Sequence, residues 1–106
     1  MDNDFIPHIK PLTLHEVEEK GAAVGKLQGK KVAAYKDGDH VRAVSAICTH
    51  KFCIIEPDRA NSNKNWYCPC HGARYKLTGE VINGPAEKPL PEVKVKVEGG
   101  ELALDE

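Results

Sequence analysis

Nothing in the 106 residues of this chain approaches the ~18 consecutive apolar residues of a membrane-spanning helix. Neither sign of charge is in excess: 15 Lys and Arg stand against 16 Asp and Glu. That balance gives no electrostatic reason to expect nucleic acid or a membrane surface as partner. The opening residues Met1-Asp2-Asn3-Asp4 are acidic where a secretory signal would be basic and then apolar. No internal repeat, linker or low-complexity stretch divides the chain. One domain over residues 1–106 is expected, large enough for a modest core. We expect it to be soluble and cytoplasmic, with no membrane segment in this chain. Removal of an anchor or leader from a longer protein is the open alternative.

Helix signal is also scarce. Thr13-Leu14-His15-Glu16 fits a Thr-x-x-Glu capping box, so a helix of a turn or two should start at Thr13 and stop by Gly21. Before it, Phe5, Ile6 and Ile9, broken by Pro7 and Pro11, suit an edge strand. From Ala22 on, short segments alternate with turn signals at Gln28-Gly29, Asp37-Gly38-Asp39, Asn61 to Asn65, Thr78-Gly79, Asn83-Gly84 and Gly99-Gly100. This spacing argues for an all-β barrel or sandwich. Strands are expected near 22–27, 31–35, 40–47, 65–68, 74–76, 93–98 and 101–104. In the last pair Val93, Val95 and Val97 should face one side, with Gly99-Gly100 as a two-residue hairpin turn.

The chemistry concentrates in two short stretches, Cys48-Thr49-His50 and Cys68-Pro69-Cys70-His71. Each offers a soft thiolate and an imidazole, a set suited to zinc or an iron–sulfur cluster and unsuited to calcium or magnesium. Zinc sites usually pair ligands of one kind on each arm, as Cys-x(2–4)-Cys and His-x(3–5)-His. Here each arm is mixed. A structural zinc module, for which Cys48 and His50 are too close, and a plain disulfide framework of four cysteines, which leaves both Cys–His pairings as coincidence, remain the competing readings. His8, His15 and His40 lack ligand partners nearby and read as surface residues.

Cys-x-His, residues 51–67, then Cys-x-x-His, with Cys53, Cys70, Gly72 and the later Asn83-Gly84-Pro85-Ala86, resembles the Rieske family's cluster signature. The resemblance implies a Rieske-like antiparallel fold with a small cluster-binding subdomain at about residues 46–77. It implies one 2Fe-2S cluster per chain, held by Cys48, His50, Cys68 and His71. With only two thiolates the oxidised core is nearly neutral, against roughly minus two for four, so an added electron costs less and the potential rises. Four protein ligands leave no open position for substrate, which describes a carrier. In members of cytochrome bc and bf complexes, the cysteines matching Cys53 and Cys70 form a disulfide. A proline-rich loop covers the cluster's flank, matched here by Pro85, Pro89 and Pro91.

High-potential members have Ser where this chain has Ala73 and Tyr at Tyr75, both donating to cluster sulfurs. Two further departures are Phe52, where the family commonly has Gly, and Lys51, where quinol-oxidising members usually have Leu. Lys51, Lys64, Arg74 and Lys76, diluted by Glu56 and Asp58, suit docking to a redox partner protein containing flavin, iron–sulfur or haem, with Phe52 as an apolar contact. A soluble one-electron carrier or electron-transfer subunit of an oxidoreductase is therefore expected. The quinol-oxidising head of a bc-type complex is the alternative.

Overall fold

The computed structural model describes residues 10–49, 53–70 and 72–105. The one α-helix among these residues, α1 (Leu14–Lys20), starts where the capping box places it: the Glu16 N–H donates to Thr13 Oγ1 at 3.2 Å. The return half of the box is diverted, because the Glu16 carboxylate binds Lys10 at 2.8 Å and Lys20 at 3.2 Å. Gly21 ends the helix at φ 82°, in the left-handed region, and donates its N–H to Val17 O.

Ten strands follow: β1 (Ala22–Leu27), β2 (Lys30–Asp37), β3 (His40–Ser45), β4 (Glu56–Pro57), β5 (Asn65–Tyr67), β6 (Arg74–Lys76), β7 (Val81–Asn83), β8 (Glu92–Val93), β9 (Val95–Glu98) and β10 (Glu101–Leu104). They form a base sheet β1-β2-β3-β8, a separate hairpin β9-β10 and a second four-stranded sheet β4-β5-β6-β7, every strand pairing being antiparallel. The expected all-β architecture is thus present. Residues 10–12 lie along the outer edge of β1, with Lys10 O accepting from Lys26 N–H and Lys26 O from Leu12 N–H, both at 2.9 Å. That much of the expected N-terminal edge segment is described. Phe5, Ile6, Pro7, His8 and Ile9 lie outside the described residues.

Successive residues of a strand face opposite sides of its sheet, and the base sheet uses both sides. Ala33 and Tyr35 of β2 join Ala22, Val44 and Ala46 in one apolar cluster, which also contains Cys48, Ile55, Trp66, Cys68, Ala73 and Tyr75. Val32 and Ala34 join a second cluster with Val17, Ala23, Leu27, Ala43, Val93 and Leu102. A sheet buried on both faces has no solvent side, so β2 reads as an unbroken apolar run from Val32 to Tyr35.

The expected strand over 93–98 is broken at Lys94. Val93 pairs with β3, whereas Val95 to Glu98 turn away to pair with β10. Val97 is consequently 50% exposed and does not share a buried face with Val93. The hairpin turn is as expected, with Gly99 and Gly100 both at positive φ.

Candidate cluster site

The two arms are loops closed at their bases by backbone hydrogen bonds. In the first, Cys48 N–H donates to Cys53 O at 2.6 Å and Ile55 N–H to Ala46 O at 2.9 Å, with a bridge between Ile47 and Ile54. In the second, Cys68 N–H donates to Ala73 O at 2.8 Å, and Gly72 N–H to Cys68 O at 2.9 Å. Gly72 closes that turn at φ 81°, a conformation that favours glycine. The strands behind aim the side chains: Trp66 and Cys68 alternate inward along one, Ala73 and Tyr75 along its neighbour, with Trp66 opposite Tyr75. Trp66 is fully buried and satisfies its indole N–H at Leu77 O, 3.1 Å away.

Cys48 and Cys68 are buried, and neither is in a disulfide. Cys53 and Cys70 are joined, with Cα atoms 6.5 Å apart, so a covalent bridge links the arms. The sulfurs of Cys53, Cys68 and Cys70 lie within 4.8 Å of one another. Two of the three are spent in the bridge, so this trio is not itself a three-thiolate metal site. His50 and His71 lie outside the described residues, as do Lys51 and Phe52. His15 and His40 are exposed, on α1 and at the start of β3.

Tyr75 reaches the first arm. Its hydroxyl lies 3.2 Å from Cys48 Sγ and 3.1 Å from Thr49 Oγ1, and accepts from Thr49 N–H at 3.2 Å. Burial, then the adjacent Cys48 sulfur, pushes the phenol above its ordinary value of 10.0, so it remains a donor at neutral pH. Thr49 spends its own hydroxyl proton on Lys88 O at 2.7 Å and can only accept from Tyr75. The single phenolic proton can therefore serve Thr49 Oγ1 or Cys48 Sγ, and between Tyr75 and Cys48 either group can be the donor. Sequence reasoning gave Thr49 no such role, because its partners are 26 and 39 residues away.

The proline-rich loop is tied to both arms. Lys88 O binds Thr49, while Asn83 Nδ2 donates to Gly72 O and Gly84 O, each at 3.3 Å. Pro85 follows a cis peptide and is exposed; Ala86 and Leu90 are buried in the cluster that contains Cys48 and Cys68. Ala73 is fully buried and presents no polar side chain.

Asp58, expected only to dilute the basic surface, has a structural role instead. Its carboxylate is 3% exposed, accepts from Asn61 Nδ2 at 2.7 Å and Arg74 Nε at 3.0 Å, and so pins the loop after β4 to β6. Arg74 also stacks on Tyr67, 4.8 Å from its ring centre, and is committed inward more than its expected docking role implied. Burial pushes the Asp58 carboxyl up, but Asn61 and Arg74 outweigh it and hold the group below its ordinary 3.8. A depressed native pKa stabilises the fold above the unfolded-state value, and the gain is lost as pH falls through the native one. Asp58→Asn should cost about 2 kcal/mol at neutral pH, and the gap to wild type should close below about pH 4. Urea unfolding across that range checks this; a gap that persists at low pH would assign the loss to shape and not to charge.

Two soft sulfurs from separate arms, buried with a phenol in hydrogen-bond reach of one of them, fit a group that carries negative charge on sulfur. The fold and this donor set define a small β domain built around an iron–sulfur group. The family model described as "Rieske [2Fe-2S] domain" matches residues 9–94, and the chain belongs to that family. It is 37% identical over 89 residues to the cytochrome b6-f complex iron-sulfur subunit of Chlorobaculum thiosulfatiphilum, covering 84% of this chain and 48% of that protein. The chain thus spans about half the length of that relative. Among solved structures, the plasma membrane Rieske protein PetC3 of Synechocystis PCC 6803 superposes with a TM-score of 0.73 at 30% identity, covering 93% of this chain and 100% of that one. The ferredoxin of carbazole 1,9a-dioxygenase from Nocardioides aromaticivorans IC177 gives 0.61 at 27%, covering 91% and 94%. No helix among the described residues is long and apolar enough to cross a membrane.

Proposed function

We propose that this domain carries single electrons between protein partners, with Cys48, His50, Cys68 and His71 holding its 2Fe-2S group. The observation that carries the reading is the Tyr75 hydroxyl 3.2 Å from the buried Cys48 sulfur. When bound, such a group accepts one electron and gives it up, with no coordination position left for substrate. Cys48 and Cys68 enter as thiolates. Tyr75 donates toward the Cys48 sulfur and so favours the more negative, reduced state. Trp66, Ile55 and the alanines around these sulfurs keep water away and leave that hydrogen bond undiluted.

Tyr75→Phe should therefore lower the reduction potential. Ala73→Ser, which adds a hydroxyl where high-potential relatives carry one, should raise it. Voltammetry on cluster-replete variants checks both; unchanged potentials with intact clusters would remove the hydrogen-bond account.

Partner choice is read from the surface near the arms. Lys51 follows His50 in sequence; Lys64 and Lys76 are exposed but lie at the end of the β5–β6 pair away from the second arm, where Asn65 pairs with Lys76. A lysine ammonium in an apolar quinol pocket would cost several kcal/mol without an anionic partner, whereas a wet docking face tolerates it. Reduction by a soluble flavin, iron–sulfur or haem protein should slow as salt rises, and Lys51→Leu should weaken that dependence. Stopped-flow reduction across ionic strengths checks this; a salt-independent rate would remove the electrostatic docking face.

The Cys53–Cys70 bridge, together with the b6-f subunit as relative, favours a second reading: the head of a quinol-oxidising complex. Disulfides are also uncommon in a reducing cytosol, which weighs against the cytoplasmic expectation. Fast reduction by a quinol-oxidising membrane complex at both low and high salt would favour this reading over the soluble carrier.

A further inference from the structure

The side chain that ties the proline-rich loop to the second arm is an asparagine followed by glycine. Asn83 is the last residue of β7, where the pairing with β6 slips between Arg74 and Tyr75, and it is exposed. Its Nδ2 donates to Gly72 O and to Gly84 O, so the carboxamide lies folded against the next peptide unit. The backbone nitrogens that follow the other described asparagines are guarded. Ser62 N–H donates to Arg59 O at 3.2 Å and Lys64 N–H to Asn61 O at 3.1 Å, while Trp66 sits inside β5 between two paired strands. Among the described residues none accepts from the Gly84 N–H, and glycine has no Cβ to shield its nitrogen. We propose that Asn83 is a site of spontaneous modification, at which the Gly84 nitrogen attacks the Asn83 carboxamide, turns it into a carboxylate and releases the proline-rich loop from the second arm.

The step consumes only water. Base removes the Gly84 amide proton, the nitrogen bonds to Asn83 Cγ, the Cγ–Nδ2 bond breaks, and Nδ2 takes up a proton and leaves as ammonia. Water then opens the resulting cyclic imide at either carbonyl, which leaves aspartate or the isomer whose backbone runs through the side chain. One water enters and one ammonia departs, with no oxidant or reductant. The product has lost both N–H donors, so the two carbonyl oxygens that shared the amide now face a group that can only accept. It also adds a negative charge to a chain whose formal net charge is -1. The bond from Thr49 to Lys88 O, on the first arm, is untouched. The change therefore loosens one side of the loop that packs Ala86 and Leu90 against the buried cysteines.

Ageing the folded protein tests this. The full chain is held without oxygen at mildly alkaline pH for days, sampled, digested and mapped by mass, with iron counted on the starting sample. The expected result is a gain of about 1 Da on the peptide that holds Asn83, ahead of any gain at Asn61, Asn63 or Asn65. Gly84→Ala should slow it about tenfold by shielding the nitrogen. The backbone accepts that change, since Gly84 is not at positive φ and an added Cβ meets Ala86 N at an ordinary 3.7 Å. Asn83→Asp carries the product's carboxylate from the start, and its amide hydrogens across residues 84–90 should exchange with solvent about fivefold faster than those of the native chain. A map in which Asn83 stays intact, or is overtaken by Asn61 or Asn63, would overturn the site. An equal rate in Gly84→Ala would overturn the attack by that nitrogen, and native exchange in Asn83→Asp would overturn the release of the loop. Starting protein without iron would instead overturn the ligand assignment alone, while the map and the exchange still decide the modification.

Discussion

Cys68→Ala is expected to purify without iron, where the native chain should carry about two irons and two acid-labile sulfides. No other thiol can take over. Cys53 and Cys70 are consumed in the bridge, and Cys48 belongs to the opposite arm. The change removes one buried sulfur and leaves a small void, at a packing cost of about 1 kcal/mol. Loss of the group should therefore far exceed loss of the fold. Cys48→Ala should behave alike, whereas His15→Ala, on an exposed face of α1, should leave iron content untouched. Iron and sulfide assays with far-UV circular dichroism separate the effects. A Cys68→Ala protein that keeps its iron would sink the assignment, as would native protein holding one tight zinc.

The double replacement Cys53→Ala, Cys70→Ala should produce the largest change in stability. The bridge closes a loop at a sequence separation of 17, and by loop-closure entropy its removal costs about 3 kcal/mol. For a domain of this size that corresponds to a fall of about 15 °C in Tm. Function should suffer as well, because the bridge is the covalent link between arms otherwise joined through the strands behind them and the proline-rich loop. Faster loss of iron at moderate temperature is the expected sign. Unfolding midpoints that do not respond to reductant in the native protein, or to the double replacement, would mean the bridge contributes little.

The sequence was most legible where local chemistry decides structure. The α1 cap, the Gly99-Gly100 turn and the segment Ala22–Leu27 need only nearby residues to form, and the expected positions match. Glu56–Pro57 and Val81–Asn83 were not expected as strands. Each is too short to show alternation, and Pro57 lacks a donor, so only pairing with a neighbouring strand makes them visible. The break at Lys94 has the same origin, since β3 and β10 claim the two sides of one alternating run. In the site, the sulfurs were marked by spacing and the bridge by family resemblance. The roles of Thr49, Lys88 and Asp58 were not legible, because they depend on contacts between residues far apart in the chain.

The division of the interior into two apolar clusters on opposite faces of the base sheet has a practical consequence. The hairpin β9-β10 packs through Leu102 and Val95 into the cluster that contains α1, while the cysteines belong to the other. Its Gly99-Gly100 tip is exposed. An insertion there would load the helix-side cluster and leave the sulfur-side one largely undisturbed. That tip is the natural point for tethering the protein to an electrode or fusing it to another enzyme, with the arms left open to exchange electrons.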